Sequence, residues 1–141
     1  MRRNGEIIII EDDEDDRLLL KDIFESLNYA NKITFIEDLM DALKYLVNPL
    51  VTPFIIFSDI NMSKLNGFEL REQILADPVI SSECVPYIFL STSKIPENVI
   101  KAYTCHVQGY FKKEDDFSKF RSVISMILEY WYTSLTPTSY L

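Results

Sequence analysis

The chain has 141 residues and 16.5 kDa, one ordinary domain's worth, and its 48% hydrophobic and 26% charged residues exclude disordered, collagen-like and coiled-coil architectures. Asp and Glu outnumber Lys and Arg 22 to 14, giving a formal net charge of -8 that disfavours phosphate backbones and anionic lipid as partners. No apolar run approaches the roughly 18 residues of a membrane span, no signal-peptide pattern opens the chain, and Cys84 and Cys105 lack CxxC spacing, so a cytoplasmic single domain over residues 1–141 is expected.

Ile7–Ile10 is a continuous β-branched run bounded by charge, as in a strand buried on both faces. Leu19, Leu20, Ile23, Phe24 and Leu27 follow at helical spacing, with Asp15 or Asp16 the expected cap. A short strand is expected at Lys32–Ile36 and a helix over about 38–47, closed by Pro49 and a loop reaching Pro53. Phe54–Phe57 reads as a central strand, and after the break at Asn66-Gly67 a helix covers Phe68–Ala76, stopped by Asp77-Pro78. Val85–Leu90 is the fourth strand, Pro96–Cys105 the fourth helix and Val107–Phe111 the last strand. Phe117, Phe120, Ile124, Ile127, Leu128 and Trp131 mark the final helix, so the core spans about 6–132 and residues 133–141 are expected to form a tail. Five strands alternating with five helices predict an α/β fold: a doubly wound five-stranded parallel sheet with helices on both faces.

Such sheets bind ligands at the carboxyl ends of their strands, where strand order reverses. Chemistry-bearing residues stand at those places: Glu11-Asp12-Asp13 after the first run, Ser58-Asp59-Ile60-Asn61 after the central one, Ser91-Thr92-Ser93 after the fourth, and Lys112-Lys113 after the fifth. Crowded carboxylates cannot all remain ionised without cations. Clustered acidic oxygens with a backbone carbonyl and waters make a hard-cation site that favours Mg²⁺ around a phosphoryl group. Each residue alone has an ordinary reading: helix caps for the acids, a loop hydroxyl for Ser91, a half-buried strand aromatic for Tyr110. Their joint placement carries the inference.

With IIIIEDD, FSDINMSKLNGFEL, PYIFLSTS and GYFKK in this order on successive strand ends, the chain resembles the receiver domain of two-component response regulators over about Glu6–Tyr132. It is most similar to the small stand-alone receivers with an acidic EDDEDD-type opening. The resemblance implies the flavodoxin-like receiver fold and a phosphorylation-controlled switch rather than a turnover enzyme. It implies Asp59 as acceptor of a phosphoryl group from a sensor histidine kinase or histidine phosphotransfer protein. Glu11, Asp12, Asp59 and the Asn61 carbonyl would hold Mg²⁺. Ser91 and Lys113 would bind the phosphoryl group, and Tyr110 would be the aromatic switch. With no output segment after Trp131, the signal is expected to leave by phosphorelay or by contact with a downstream protein or second copy. The expected surface is the fourth helix, fifth strand and fifth helix, around Tyr103, Tyr110 and Phe117.

Two positions depart from the family pattern. Ser63 replaces a proline after the Asn-Met pair, which loosens that loop, and Glu114 replaces the proline after the lysine. Receivers usually hold that peptide bond cis, and without proline this costs about 3 kcal/mol; Lys112 therefore competes with Lys113 for the lysine role. The main alternative is a Mg²⁺-dependent phosphohydrolase acting through an aspartyl-phosphate, but its second aspartate is Asn61 here. A calcium loop over Asp12, Glu14 and Asp16 lacks its glycine and closing glutamate, and a nucleotide or flavin site lacks glycine-rich loops. His106, the lone histidine, reads as a surface or capping residue.

Overall fold

A computed structural model of the chain describes residues 4–60, 66–93 and 95–137. Its strands are β1 (Glu6–Ile10), β2 (Ile33–Ile36), β3 (Pro53–Asp59), β4 (Tyr87–Ser91) and β5 (Gly109–Lys112). Its helices are α1 (Glu14–Leu27), α2 (Leu39–Leu46), α3 (Gly67–Ala76), α4 (Pro78–Ser82), α5 (Pro96–Thr104) and α6 (Phe117–Thr133). All strands pair in parallel, in the order β2-β1-β3-β4-β5. The chain moves outward from β1 to β2 and returns on the other side of β1 for β3. Strand order therefore reverses between β1 and β3, which opens a crevice at their carboxyl ends.

Alternate strand residues feed opposite layers. Ile8, Ile10, Ile56 and Phe89 pack beneath α2, α3, α4 and α5, whereas Ile7, Ile9, Ile55 and Phe57 pack beneath α1 and α6. None of Ile7–Ile10 is more than 1% exposed, and burying each such side chain stabilises the fold by about 1.5–3 kcal/mol. The isoleucine run thus holds β1 in the sheet interior, between β2 and β3. Five helices start with side-chain caps: Asp13, Asp38, Asn66, Asp77 and Asp116 accept from amides of their own first turns. Each cap is worth about 1 kcal/mol. Helix α5 has none; Pro96 opens it after Ile95.

The structure corrects several sequence expectations. Among the described residues there are six helices rather than five, because Asp77-Pro78 both stops α3 and starts α4: the Asp77 carboxylate accepts from Val79 and Ile80 amides at 3.0 and 3.1 Å. Pro53 opens β3 instead of bounding a loop, a place where a missing amide is tolerated. The cap of α1 is Asp13, not Asp15 or Asp16. Strand β4 begins at Tyr87 and β5 at Gly109, each two residues later than expected, and α6 extends to Thr133.

Arg71 of α3 is buried and spans to the end of α5. Its Nε donates to the Cys105 carbonyl at 3.1 Å and its Nη2 to the His106 carbonyl at 2.7 Å, while its guanidinium lies 4.7 Å from the centre of the Tyr87 ring. A cation suits the carbonyl end of a helix. Arg71→Ala leaves both carbonyls without that donor and should lower unfolding stability by about 3 kcal/mol, read from urea denaturation midpoints. An unchanged midpoint would show that water replaces the guanidinium freely.

Candidate functional site

The carboxyl ends of β1, β3 and β5 bring together side chains more than a hundred residues apart. Glu11 follows β1, its amide held by the Ile36 carbonyl at 2.9 Å. Asp59 is the last residue of β3, and Lys113 directly follows β5, its amide donating to the Ser91 carbonyl at 2.8 Å. Glu11, Asp59 and Lys113 are 1%, 8% and 8% exposed, so this is a nearly dry cluster of charges. Lys113 Nζ donates to Glu11 Oε1, lies 2.8 Å from Asp16 Oδ2 and sits 3.3 Å from Asp59 Oδ1. Glu11, Asp12 and Asp59 each offer a carboxylate oxygen, all within 4.8 Å of one another. That donor set is oxygen only, as hard divalent cations prefer.

The backbone around the cluster is braced from two helices. Arg17 of α1 donates from Nη1 to the Glu11 and Asp12 carbonyls at 3.2 and 2.8 Å, and its Nη2 pairs with Glu37 at 3.2 Å. At the start of α3, the Gly67 amide donates to the Ile60 carbonyl at 2.7 Å. A Cβ at Gly67 would collide with the Asp59 carbonyl oxygen and stand 2.9 Å from Ile60 Cα. The absence of a side chain is what lets α3 start against the chain leaving Asp59.

Burial and charge oppose each other here. Burial pushes the Glu11 carboxyl up to about 7, against the pull of the Lys113 ammonium. Asp59 is pushed up by the same desolvation, again opposed by Lys113. Desolvation would lower Lys113, but the hydrogen bonds to Asp16 and Glu11 and the charge of Asp59 outweigh it and raise it. The ammonium therefore stays charged.

The other expected residues fall into place unevenly. Ser91 is fully buried, and its Oγ accepts from the Ser93 amide at 3.1 Å. Tyr110 is half-buried and donates to the Ser93 carbonyl at 2.8 Å, so hydroxyl and aromatic meet on one loop residue. Lys112 is exposed while Lys113 is buried in the cluster, and no described peptide bond, including Lys113-Glu114, is cis. Asn61 and Ser63 lie outside the described residues. His106 is exposed with a left-handed backbone, φ 55°, just past α5. Sequence reasoning missed Asp16 and Arg17 as parts of the site. An Asp13 cap would have placed Asp16 on the third helical position, but nothing local signals that its carboxylate reaches residue 113.

The family model described as "Response regulator receiver domain" matches residues 7–125. The probable methanogenesis regulatory protein FilR2 of Methanothrix harundinacea is 27% identical over 129 residues, covering 89% of this chain and 82% of FilR2. The crystal structure of the phosphorylated cyanobacterial phytochrome response regulator RcpA superposes with a TM-score of 0.83 at 25% identity, over 94% of this chain and 97% of RcpA. The Mn²⁺-bound form of response regulator Rcp1 gives a TM-score of 0.80 at 23% identity, over 94% of this chain and 97% of that one. The chain belongs to the response regulator receiver domain family, and its role is that of a receiver in two-component signalling.

The charge balance predicts a pH dependence for the ion-free protein. The folded-state Glu11 value, about 7, lies above its ordinary 4.5. Its stabilisation is thus fully present below the ordinary value and lost as pH rises through about 7. With a chelator present, urea midpoints should fall between about pH 5 and pH 8, and Glu11→Gln should flatten that fall. An equal fall in both proteins would place the titrating group elsewhere.

Proposed function

As a receiver, this chain requires a phosphoryl acceptor, and we propose that it is Asp59. One observation carries the reading: the Lys113 ammonium lies 3.3 Å from the Asp59 carboxylate, beside the Glu11, Asp12 and Asp59 oxygen cluster. A carboxylate approaching an anionic phosphoryl group meets charge repulsion, and a fixed ammonium offsets it. A bond forms between an Asp59 oxygen and phosphorus as the phosphorus–nitrogen bond of a phosphohistidine breaks. The electron pair leaves on the imidazole nitrogen, which takes a proton from water. Glu11, Asp12, Asp59 and the Asn61 carbonyl would hold Mg²⁺, which supplies further charge neutralisation on the phosphoryl oxygens. The Mn²⁺ in the Rcp1 structure and the phosphoryl group on RcpA support a divalent ion and phosphorylation here.

After transfer, Lys113 pairs with the new phosphoryl oxygens and Ser91 donates to one of them. Ser91 Oγ then leaves the Ser93 amide, and the loop carrying the carbonyl partner of Tyr110 is drawn with it. Tyr110 is in this way the readout of Asp59 chemistry. Helix α5 is suited to respond: Ala102 is its only fully buried side chain, and Ile100 and Tyr103 are exposed. The face formed by α5, β5 and α6, with Tyr103, Tyr110 and Phe117, meets a downstream protein or a second copy. An apolar groove between β5 and α6, lined by Phe111, Met126, Tyr130 and Trp131, adjoins it. The phosphodonor is a sensor histidine kinase or a histidine phosphotransfer protein. The setting is cytoplasmic, with one domain over the whole chain and no nucleic-acid partner. No observation favours a phosphohydrolase.

Intact-mass analysis with acetyl phosphate and Mg²⁺ should show one phosphoryl group on the native chain and none on Asp59→Asn. Equal gain in both would move the acceptor elsewhere, and no gain in the folded native chain would end the proposal. Lys113→Ala should still accept the group, more slowly, but lose the spectral change at Tyr110 that follows it; retention of that change would transfer the coupling to another residue.

A further inference from the structure

The three carboxylates around Lys113 are not equivalent. Glu11 and Asp59 belong to the oxygen cluster, whereas Asp16 contributes no oxygen to it. Asp16 stands on the first turn of α1, where its amide donates to Asp13 Oδ1 at 3.0 Å. The next residue, Arg17, fastens the same turn to the Glu11 and Asp12 carbonyls. Asp16 is therefore held in register with the acidic pair without being one of the clustered donors. Its carboxylate is 34% exposed, and its 2.8 Å bond to Lys113 is charge-assisted.

A cation drawn to Glu11 and Asp59 repels a neighbouring ammonium and withdraws the oxygens it was using. The lysine stem has many rotamers, and an ammonium released from its partners disperses among them. Asp16 is the remaining carboxylate against which it can stay. We propose that Asp16 is a positioning residue for phosphoryl transfer: the anchor that keeps the Lys113 ammonium at the site while Glu11 and Asp59 engage the cation and the phosphoryl group. This inference rests on Asp59 being the acceptor, and Asp16 itself touches no reacting atom.

The test compares native protein with Asp16→Asn, Asp16→Ala and Asp16→Glu, all first confirmed as folded by thermal denaturation. The first readout is the ¹H–¹⁵N signal of the Lys113 ammonium, assigned by its loss in Lys113→Ala, recorded with chelator and with Mg²⁺. It should persist in native protein under both conditions, but vanish with Mg²⁺ in Asp16→Asn and Asp16→Ala. The second is the rate of mass gain from acetyl phosphate, which should drop about tenfold in those variants, within the penalty for a misplaced group, and recover in part in Asp16→Glu. Variants that keep both the Mg²⁺-state signal and the native rate would overturn the inference while leaving Asp59 as acceptor. A native chain that gains no phosphoryl group would overturn the acceptor assignment, and this inference with it.

Discussion

A single ammonium makes the crevice tenable. Lys113 reaches Glu11, Asp16 and Asp59, and without its positive charge Glu11 and Asp59 could not be buried together in ionised form. The contact also has a topological side: it joins the ends of β1 and β3, on the two sides of the switch point, to the end of β5 at the sheet's margin. The residue that balances charge is thus the one that closes the site across the sheet.

The sheet delivers those groups because its interior is settled by packing alone. Isoleucine and phenylalanine runs with no polar face fix β1 and β3 at the centre, and parallel pairing aligns their ends. Helix starts then refine the geometry. Asp13 sets the rotation of α1, which aims Asp16 and Arg17, and Gly67 lets α3 begin against the chain that leaves Asp59.

Much of this was legible in the chain. Glu11, Asp12 and Asp59 come just after continuous apolar runs and Lys113 just after the expected last strand, and a doubly wound sheet converts "just after a strand" into "in the crevice" with no further information. Local chemistry that serves two elements was less legible: Asp77-Pro78 reads as a stop, and only its side-chain bonds to the following amides reveal a start. The acidic run Glu11–Asp16 posed a different difficulty. Moving the cap from Asp15 or Asp16 to Asp13 turns the helix by about 100° per residue, and which carboxylate faces Lys113 depends on that rotation. The meeting of Tyr110 with a backbone carbonyl at Ser93 has no residue-type signature at all.

The two ends of α5 are secured by different means. At its start, Pro96 follows Ile95, and the Ser93 hydroxyl accepts from the Ile95 amide at 3.2 Å and from Asn98 Nδ2 at 2.9 Å; past its finish, the buried Arg71 guanidinium holds the Cys105 and His106 carbonyls. Ser93 also carries the carbonyl that Tyr110 donates to and the amide that Ser91 Oγ accepts from, so a single loop residue links the end of β4, the β5 aromatic and the first turn of α5.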